Sequence, residues 1–309
     1  MTQHELVDPE LLPLVDGFPA VTWSAATLAQ LRASRPPPPP VPPCAATTEQ
    51  VLVTRPRGPP VPLLLHRPHD NRGGAILHLH GGGFMTGSAA SVACVHAPLA
   101  AELGCTIASI DYRLAPEHPY PAALEDAAAA LAWLVAEAPR LEIDLTRIGL
   151  LGESAGGNLA AALALRTRDT NGPRLAFQQL IYPMLDDRTT VATLPPQLGA
   201  YSWSPASNRF AWHAYLGRAP GGPSVDAYAA PGRATNLWGL PPTFLLVGGL
   251  DLFAPEVLRF AGALLESSVP TELHLLPGAP HGFHRAADAA VTRAAVTAER
   301  SFLRRMLGQ

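Results

Sequence analysis

The 309-residue chain contains no lysine: all 22 of its basic Lys or Arg positions are arginine. Without lysine, the protein cannot form a Schiff base with a substrate carbonyl, carry a P-loop lysine or pair a lysine base with a serine nucleophile. These enzyme classes are therefore excluded. Charge is also scarce: 15% of the residues are charged and the net charge is −3. The composition gives no reason to expect nucleic acid or an anionic membrane as a partner.

Cysteine and long apolar runs are scarce as well. Cys44, Cys94 and Cys105 are odd in number and show no metal-ligand spacing, so we predict no metal and no cofactor, and chelators should leave activity unchanged. No apolar stretch reaches the ~20 residues of a membrane helix. The N-terminal sequence MTQHELVDPE is polar and acidic, unlike a secretory signal peptide. We expect a reduced cytoplasmic protein.

From about residue 49, strand-like apolar runs alternate with helix-like stretches. The first two runs are short and flanked by turns, and they predict antiparallel strands. The later runs are apolar at successive positions, as in parallel strands that helices cover on both faces. The alternation predicts a doubly wound α/β sheet. The runs are QVLVTR and VPLLLHRP, then AILHLH, TIASIDY, RIGLLGE, AFQQLIYPM, TFLLVGG and ELHLLPG.

Two segments interrupt this alternation. Residues 1–48 predict an N-terminal cap segment, in which Ser24 caps a short helix that runs into the polyproline stretch RPPPPPVPP. Residues 186–237 are rich in proline, glycine and aromatics and predict a cap insertion over the C-terminal edge of the sheet. The catalytic domain is then formed by residues 49–185 and 238–309.

The stretch LLGESAGGNL places Ser154 between Gly152 and Gly156, where a predicted strand meets a predicted helix. A glycine-rich turn that happens to contain a serine is the alternative interpretation. At a strand-to-helix corner, however, the glycines let the helix approach the strand, and the hydroxyl projects beside a helix N-terminus. The pattern predicts a nucleophilic serine.

The stretch LHLHGGGFMTG ends another predicted strand with three successive glycines, residues 81–83. Bare backbone N–H groups can approach an oxyanion to ~2.7–3.1 Å without interference from side chains. The alternative is a flexible surface turn. Because the same motif accompanies the serine corner in lipases and esterases, we predict an oxyanion hole here.

A serine nucleophile needs a base, and the chain has 11 histidines. His281 follows the run ELHLLPG in a short loop that returns to the same sheet edge, and His284 is its nearest rival. His78, His80 and His274 lie within or at the end of strands, where a role in the core or in loop bracing is expected.

The histidine needs an acid to orient it. Asp251 closes TFLLVGGLD at the C-terminal end of a strand, where open α/β sheets build their sites. Glu256, one turn into the next helix, and Asp111, which precedes the serine, are alternatives. The order Ser154, Asp251, His281 is that of α/β-hydrolases and favours Asp251.

Six blocks occur in order: HGGGF, DYRLAPEHPYPAALEDA, GESAGGNLA, YPMLDD, GGLD and PGAPHGF. Together they resemble the hormone-sensitive-lipase-like (family IV) esterases of the α/β-hydrolase superfamily, from about Leu64 to the C-terminus. The resemblance implies an α/β-hydrolase fold with a helical cap. It also implies that Gly82, Gly83 and Ala155 form the oxyanion hole. After Asp251 the chain departs from the family's Pro-Leu-Arg-Asp-Glu, which puts the polar support of that carboxylate in doubt.

The resemblance implies a carboxylesterase that hydrolyses small-molecule esters through an acyl-enzyme. A ligand-binding receptor on the same fold and a peptidase or amidase with the same triad are the competing functions. The oligomeric state stays open, and a homodimer is one option. We predict a preference for short-to-medium acyl chains because large rings in the insertion fill space near the site, although about half of them should only pack the cap. The rings are Tyr201, Trp203, Phe210, Trp212 and Tyr215.

Overall fold

The computed structural model describes residues 3–18, 22–55 and 57–309; residues 1–2 and 19–21 of the predicted N-terminal cap segment therefore lie outside the described residues. The strands are β1 (Ala46–Val53), β2 (Val61–Pro68), β3 (Gly74–Leu79), β4 (Cys105–Ile110), β5 (Ile148–Glu153), β6 (Phe177–Ile181), β7 (Thr243–Gly248) and β8 (Thr271–Leu276). The α-helices are α1 (Leu12–Asp16), α2 (Leu28–Ala33), α3 (Ala93–Leu103), α4 (Ala122–Ala136), α5 (Ala138–Leu141), α6 (Ala155–Asp169), α7 (Pro205–Leu216), α8 (Ala254–Glu266) and α9 (Ala290–Met306). Short 3₁₀ helices cover Gln3–Leu6, Pro9–Leu11, Ala89–Val92, Leu145–Arg147, Asp187–Thr190, Pro231–Arg233 and Phe283–Arg285.

The strands form one sheet in the order β1-β2-β4-β3-β5-β6-β7-β8. β2 runs antiparallel to both β1 and β4, and every other neighbouring pair is parallel. The central strands β3 to β7 are buried at every position except Glu153, so both faces of the sheet are covered. The predicted α/β sheet and its antiparallel start are therefore confirmed.

The last strand departs from the expected burial pattern. Its sequence ELHLLPG is as apolar as the central runs, yet Leu273 and Leu275 are exposed. The reason is position: β8 is an edge strand, and the helices leave one of its faces partly open. An apolar run alone does not distinguish an edge strand from a central one.

The N-terminal helix begins later than predicted. Helix α2 begins at Leu28, with Thr27 as its N-cap residue. Ser24 instead closes the turn before the helix: its N–H donates to Thr27 Oγ1 (3.0 Å), and the Thr27 N–H donates to Ser24 Oγ (3.3 Å). This exchange resembles a capping box, and the helix begins about one turn after Ser24.

Helix packing leaves the C-terminal edge of the parallel strands open. Helix α6 packs on β3, β5 and β6 with α4 beside it, α3 packs on β2 and β4, and α9 packs on β7. The loops that follow β3, β5, β7 and β8 all emerge at this edge, because these strands are parallel. The predicted triad and the glycines of the predicted oxyanion hole lie in these four loops.

Candidate active site

Ser154 lies at the junction of β5 and α6, in a backbone conformation that is rare for a residue with a side chain. Its φ and ψ are 55° and −117°, and its N–H donates to Ile181 O of the next strand (2.9 Å). Backbone strain of this kind costs about 1–3 kcal/mol and is concentrated at functional sites. The strained turn therefore makes Ser154 a candidate functional residue.

Close packing of glycine backbones makes this turn possible. A Cβ at Gly156 would lie 1.9 Å from Leu79 O, and a Cβ at Gly152 would lie 2.2 Å from Gly156 O. Either side chain would push the start of α6 away from the sheet. Glycine is therefore needed at both positions because the backbones pack too closely for a side chain. The sequence motif alone only suggests this.

Ser154, His281 and Asp251 form one chain of hydrogen bonds. Ser154 Oγ lies 3.0 Å from His281 Nε2, and His281 Nδ1 lies 2.6 Å from Asp251 Oδ2. Asp251 is fully buried, and its other oxygen accepts the Phe253 N–H (2.9 Å). A backbone donor thus supports the carboxylate, although the arginine and aspartate of the family pattern are missing.

The alternative candidates for the base and the acid have other hydrogen-bond partners. Among the described residues, His284 Nε2 pairs with Glu299 (2.7 Å), and Asp111 accepts the Ala89 N–H (2.6 Å). Glu256 is buried in helix α8 and accepts the N–H of Leu185 and the hydroxyl of Thr189. Neither carboxylate is hydrogen-bonded to His281.

Glu256 anchors the chain that leaves β6. Burial raises the pKa of its carboxyl group well above the usual range. We predict that Glu256→Ala lowers the free energy of unfolding by about 2–4 kcal/mol, since three buried donors lose their acceptor, but keeps kcat within about tenfold of wild type. Urea unfolding and esterase kinetics measure the two effects, and Glu256→Gln, which retains an acceptor, should be milder. A stable but inactive Glu256→Ala protein would instead make Glu256 the catalytic acid.

The glycine loop after β3 lies against the serine. A Cβ on Gly81 would be 3.5 Å from Ser154 Cβ. Gly82 and Gly83 have φ values of +129° and +60°, and the N–H groups of Gly82, Gly83 and Ala155 donate to no acceptor in the described part of the chain. Three free donors beside the serine hydroxyl are what an oxyanion hole requires.

The hydroxyl opens on a cavity of about 910 Å³, within the size range of small-molecule sites. Phe18, Trp23 and Trp203 line it, and a Cβ on Gly83 would lie 2.5 Å from the Trp203 ring. Among the five rings singled out in the sequence, Trp203 alone lines this cavity. Trp212 and Tyr215 are instead buried against Phe84, and Phe210 lines a separate surface pocket.

Sequence reasoning missed a group of polar side chains behind the nucleophile. His78 and His96 contact Ser109 Oγ through their Nδ1 atoms, and His78 Nε2 lies 2.8 Å from Glu153 Oε2. Burial lowers the pKa of His78 to about 3 and also lowers the pKa of His96, whereas burial raises the pKa of Glu153. His80 has the bracing role expected of it: its ring stacks on Tyr112, and its Nδ1 contacts Gly81 O.

Comparisons with known proteins show the family to which the chain belongs. A family model described as alpha/beta hydrolase fold matches residues 76–285. The chain is 36% identical to esterase LipI of Mycobacterium tuberculosis over 221 residues, 70% of this chain and 67% of that protein. It is 35% identical to carboxylesterase NlhH of the same species over 295 residues, 90% of this chain and 88% of that protein. The solved structure of a bacterial heroin esterase superposes with a TM-score of 0.88 at 33% identity and covers 99% of both chains.

The fold, the open sheet edge and these relatives define a carboxylesterase with the α/β-hydrolase fold. Within that class, the chain belongs to the hormone-sensitive-lipase-like (family IV) esterases. Among the described residues, no helix combines the length and the apolar character needed to cross a membrane.

Proposed function

We propose that the protein hydrolyses short-to-medium acyl esters through an acyl-enzyme formed on Ser154. The observation that carries the proposal is the hydrogen-bond chain from Ser154 through His281 to Asp251, which ends at the cavity. A serine hydroxyl is a weak nucleophile until a neighbouring base takes its proton. His281 Nε2 is within reach of that proton.

In the first half of the reaction, Ser154 Oγ attacks the ester carbonyl carbon while His281 Nε2 takes the hydroxyl proton. The carbonyl oxygen becomes an oxyanion that accepts the N–H groups of Gly82, Gly83 and Ala155. The C–O bond then breaks, and the departing alkoxide takes the proton from His281 and leaves as the alcohol. Water attacks the acyl-serine in the same way and releases the carboxylic acid. Throughout, Asp251 keeps a proton on His281 Nδ1.

A fluorophosphonate reagent tests this assignment, because it bonds covalently to an activated serine oxygen. We expect one adduct per chain by intact mass and a labelled peptide that contains Ser154. Ser202 is a matched control, because it lines the same cavity and its Oγ donates to His281 O. Ser202→Ala should be labelled like wild type, and an adduct on Ser202 would refute the assignment.

We further propose that residues 1–48 and 186–237 together form the cap over this site. The support is contact between the two segments: the Trp23 N–H donates to Ser207 Oγ (3.1 Å), and the rings of Trp23 and Trp203 lie 6.5 Å apart. Arg32 joins the first segment to the catalytic domain through Met85 O (2.8 Å). Substrate would then bind between the cap and the serine.

Acyl length tests how the cap shapes the site. We predict that kcat/KM for p-nitrophenyl esters is highest between C2 and C8 and falls at least about tenfold by palmitate, because acyl and alcohol parts share one ring-lined cavity. Trp203→Ala should move the optimum towards longer chains, since each additional buried CH₂ contributes about 0.8 kcal/mol. Trp238→Ala, an exposed tryptophan outside the cavity lining, is the control. A steady rise beyond C12 would contradict the prediction.

A further inference from the structure

Three potential metal ligands meet on the buried sheet face beside Ser154. His78 lies on β3, His96 on α3 and Glu153 at the end of β5, and each offers one ligand atom within 4.8 Å of the others. Both histidines are buried, and the Glu153 side chain is 22% exposed. Polar groups on a central sheet face cost free energy unless partners satisfy them. Hydrogen bonds to Ser109 and within the group satisfy most of these atoms, but the hydrolysis mechanism gives the group no role.

Ser109 orients the two imidazoles. Its Oγ lies 3.2 Å from His78 Nδ1 and 3.0 Å from His96 Nδ1. A hydroxyl oxygen has two lone pairs and can accept an Nδ1–H from each ring. Both Nε2 atoms then carry a lone pair, which is the form in which histidine binds a metal ion. Metal-binding histidines in proteins commonly donate their other ring N–H to such a partner.

Two of the three ligand residues line the active-site cavity. His96 and Glu153 both line it, and His96 Nε2 has no hydrogen-bond partner among the described residues. His78 Nε2 and Glu153 Oε2 are 2.8 Å apart and share one proton, which a bound cation would replace. Gln179 lines the same cavity, and its buried Oε1 also lacks a partner in the described part of the structure.

We propose that His78, His96 and Glu153 form a Zn²⁺ site separate from the Ser154–His281–Asp251 triad. Two imidazole nitrogens and one carboxylate are a common zinc donor set, with the fourth position left to water. The ligands come from three separate elements, which explains why no metal-ligand spacing is visible in the sequence. Because Glu153 directly precedes Ser154 and the ion lies at the cavity wall, zinc binding inhibits hydrolysis.

The test measures metal binding directly, in the absence of substrate. The full chain is stripped with EDTA, dialysed and titrated with ZnCl₂ by calorimetry, and with Co²⁺ while its visible absorption is recorded. We expect one tight site per chain and Co²⁺ bands typical of four-coordination. His96→Gln and Glu153→Gln should weaken binding by at least about 100-fold, and Ser109→Ala by about 10–100-fold.

Two control variants test whether other histidines bind the metal. His274 Nε2 lies 2.8 Å from Glu272 Oε1, the same distance as in the His78–Glu153 pair, but this pair belongs to no three-residue group among the described residues. His274→Ala and His281→Ala should both retain the tight site. Unchanged affinity in His96→Gln, or loss of the site in His281→Ala, overturns the proposal. If His96→Gln does not fold, as judged by its unfolding transition, Glu153→Gln and Ser109→Ala decide.

Activity is the second readout. Saturating zinc should lower wild-type kcat/KM at least about tenfold, and EDTA should restore it. The activity of each variant with zinc is compared with its own activity without metal. A variant that is simply a slower catalyst is then not mistaken for one that has lost the metal site. Because the calorimetry needs no turnover, the zinc site and the proposed acyl-enzyme mechanism succeed or fail independently. Tight zinc binding without inhibition would refute the regulatory role.

Discussion

Ser154→Ala is expected to lower kcat for p-nitrophenyl butyrate by roughly five to six orders of magnitude, the loss seen when a triad serine is removed. The variant loses only one hydroxyl, and the flanking glycines still allow the close approach of α6 to β3. The unfolding midpoint should therefore stay near that of wild type. Residual hydrolysis would come from substrate binding and from the oxyanion donors.

The measurement needs protein free of wild-type contamination, because a trace of active enzyme would dominate such a slow variant. Single-turnover assays with excess variant protein meet this need. Ser91→Ala is the matched control, since it removes a hydroxyl from the same cavity that has no contact with the triad, and it should retain most activity. Activity of Ser154→Ala within about tenfold of wild type would show that another group is the nucleophile.

The sequence predicted the order of strands and helices well, because buried parallel strands require long apolar runs and their connections require helices. It also located the residues that the structure brings together. Ser154, Asp251 and His281 each follow a predicted strand, and parallel strands bring their C-terminal ends to one edge. Their spatial proximity therefore follows from topology, once the strands are recognised.

Contacts between distant segments could not be predicted in this way. The five rings singled out in the sequence looked equivalent, yet Trp203 faces the cavity while Trp212 packs in the core. Which face a ring presents depends on how the insertion docks, and local periodicity does not contain that information.

The polar group of His78, His96 and Glu153 was missed for a related reason. The register pairs His78 with Ser109 on one side and with Leu151 on the other. Paired residues of neighbouring strands share a face, so Ser109 and His78 meet on the side that α3 covers. From sequence alone, a histidine in an apolar strand is expected to be a buried, hydrogen-bonded core residue. Only the assembled sheet shows that those partners include a second histidine and a carboxylate.

Asp251→Asn is expected to lower kcat by about 10⁴-fold with little change in KM, and the structure gives the reason. One carboxylate oxygen accepts the Phe253 N–H and the other faces His281 Nδ1. In the asparagine variant, the amide oxygen must stay on Phe253, so the NH₂ group is turned towards His281. That donor favours a lone pair on Nδ1 and a proton on Nε2. His281 then presents a proton to Ser154 where it must accept one.

Steady-state kinetics on a butyrate ester would measure the loss, and NMR of the ring nitrogens of His281 would detect the change of tautomer. Asp251→Ala separates loss of the carboxylate from the effect of the added donor, because it removes the carboxylate without placing an NH₂ group against the ring. We therefore expect Asp251→Ala to show less of the Nε2–H tautomer than Asp251→Asn, while both remain slow. If Asp251→Asn stays within about tenfold of wild type, the carboxylate neither orients His281 nor stabilises its charged form, and the acid must be sought elsewhere in the site.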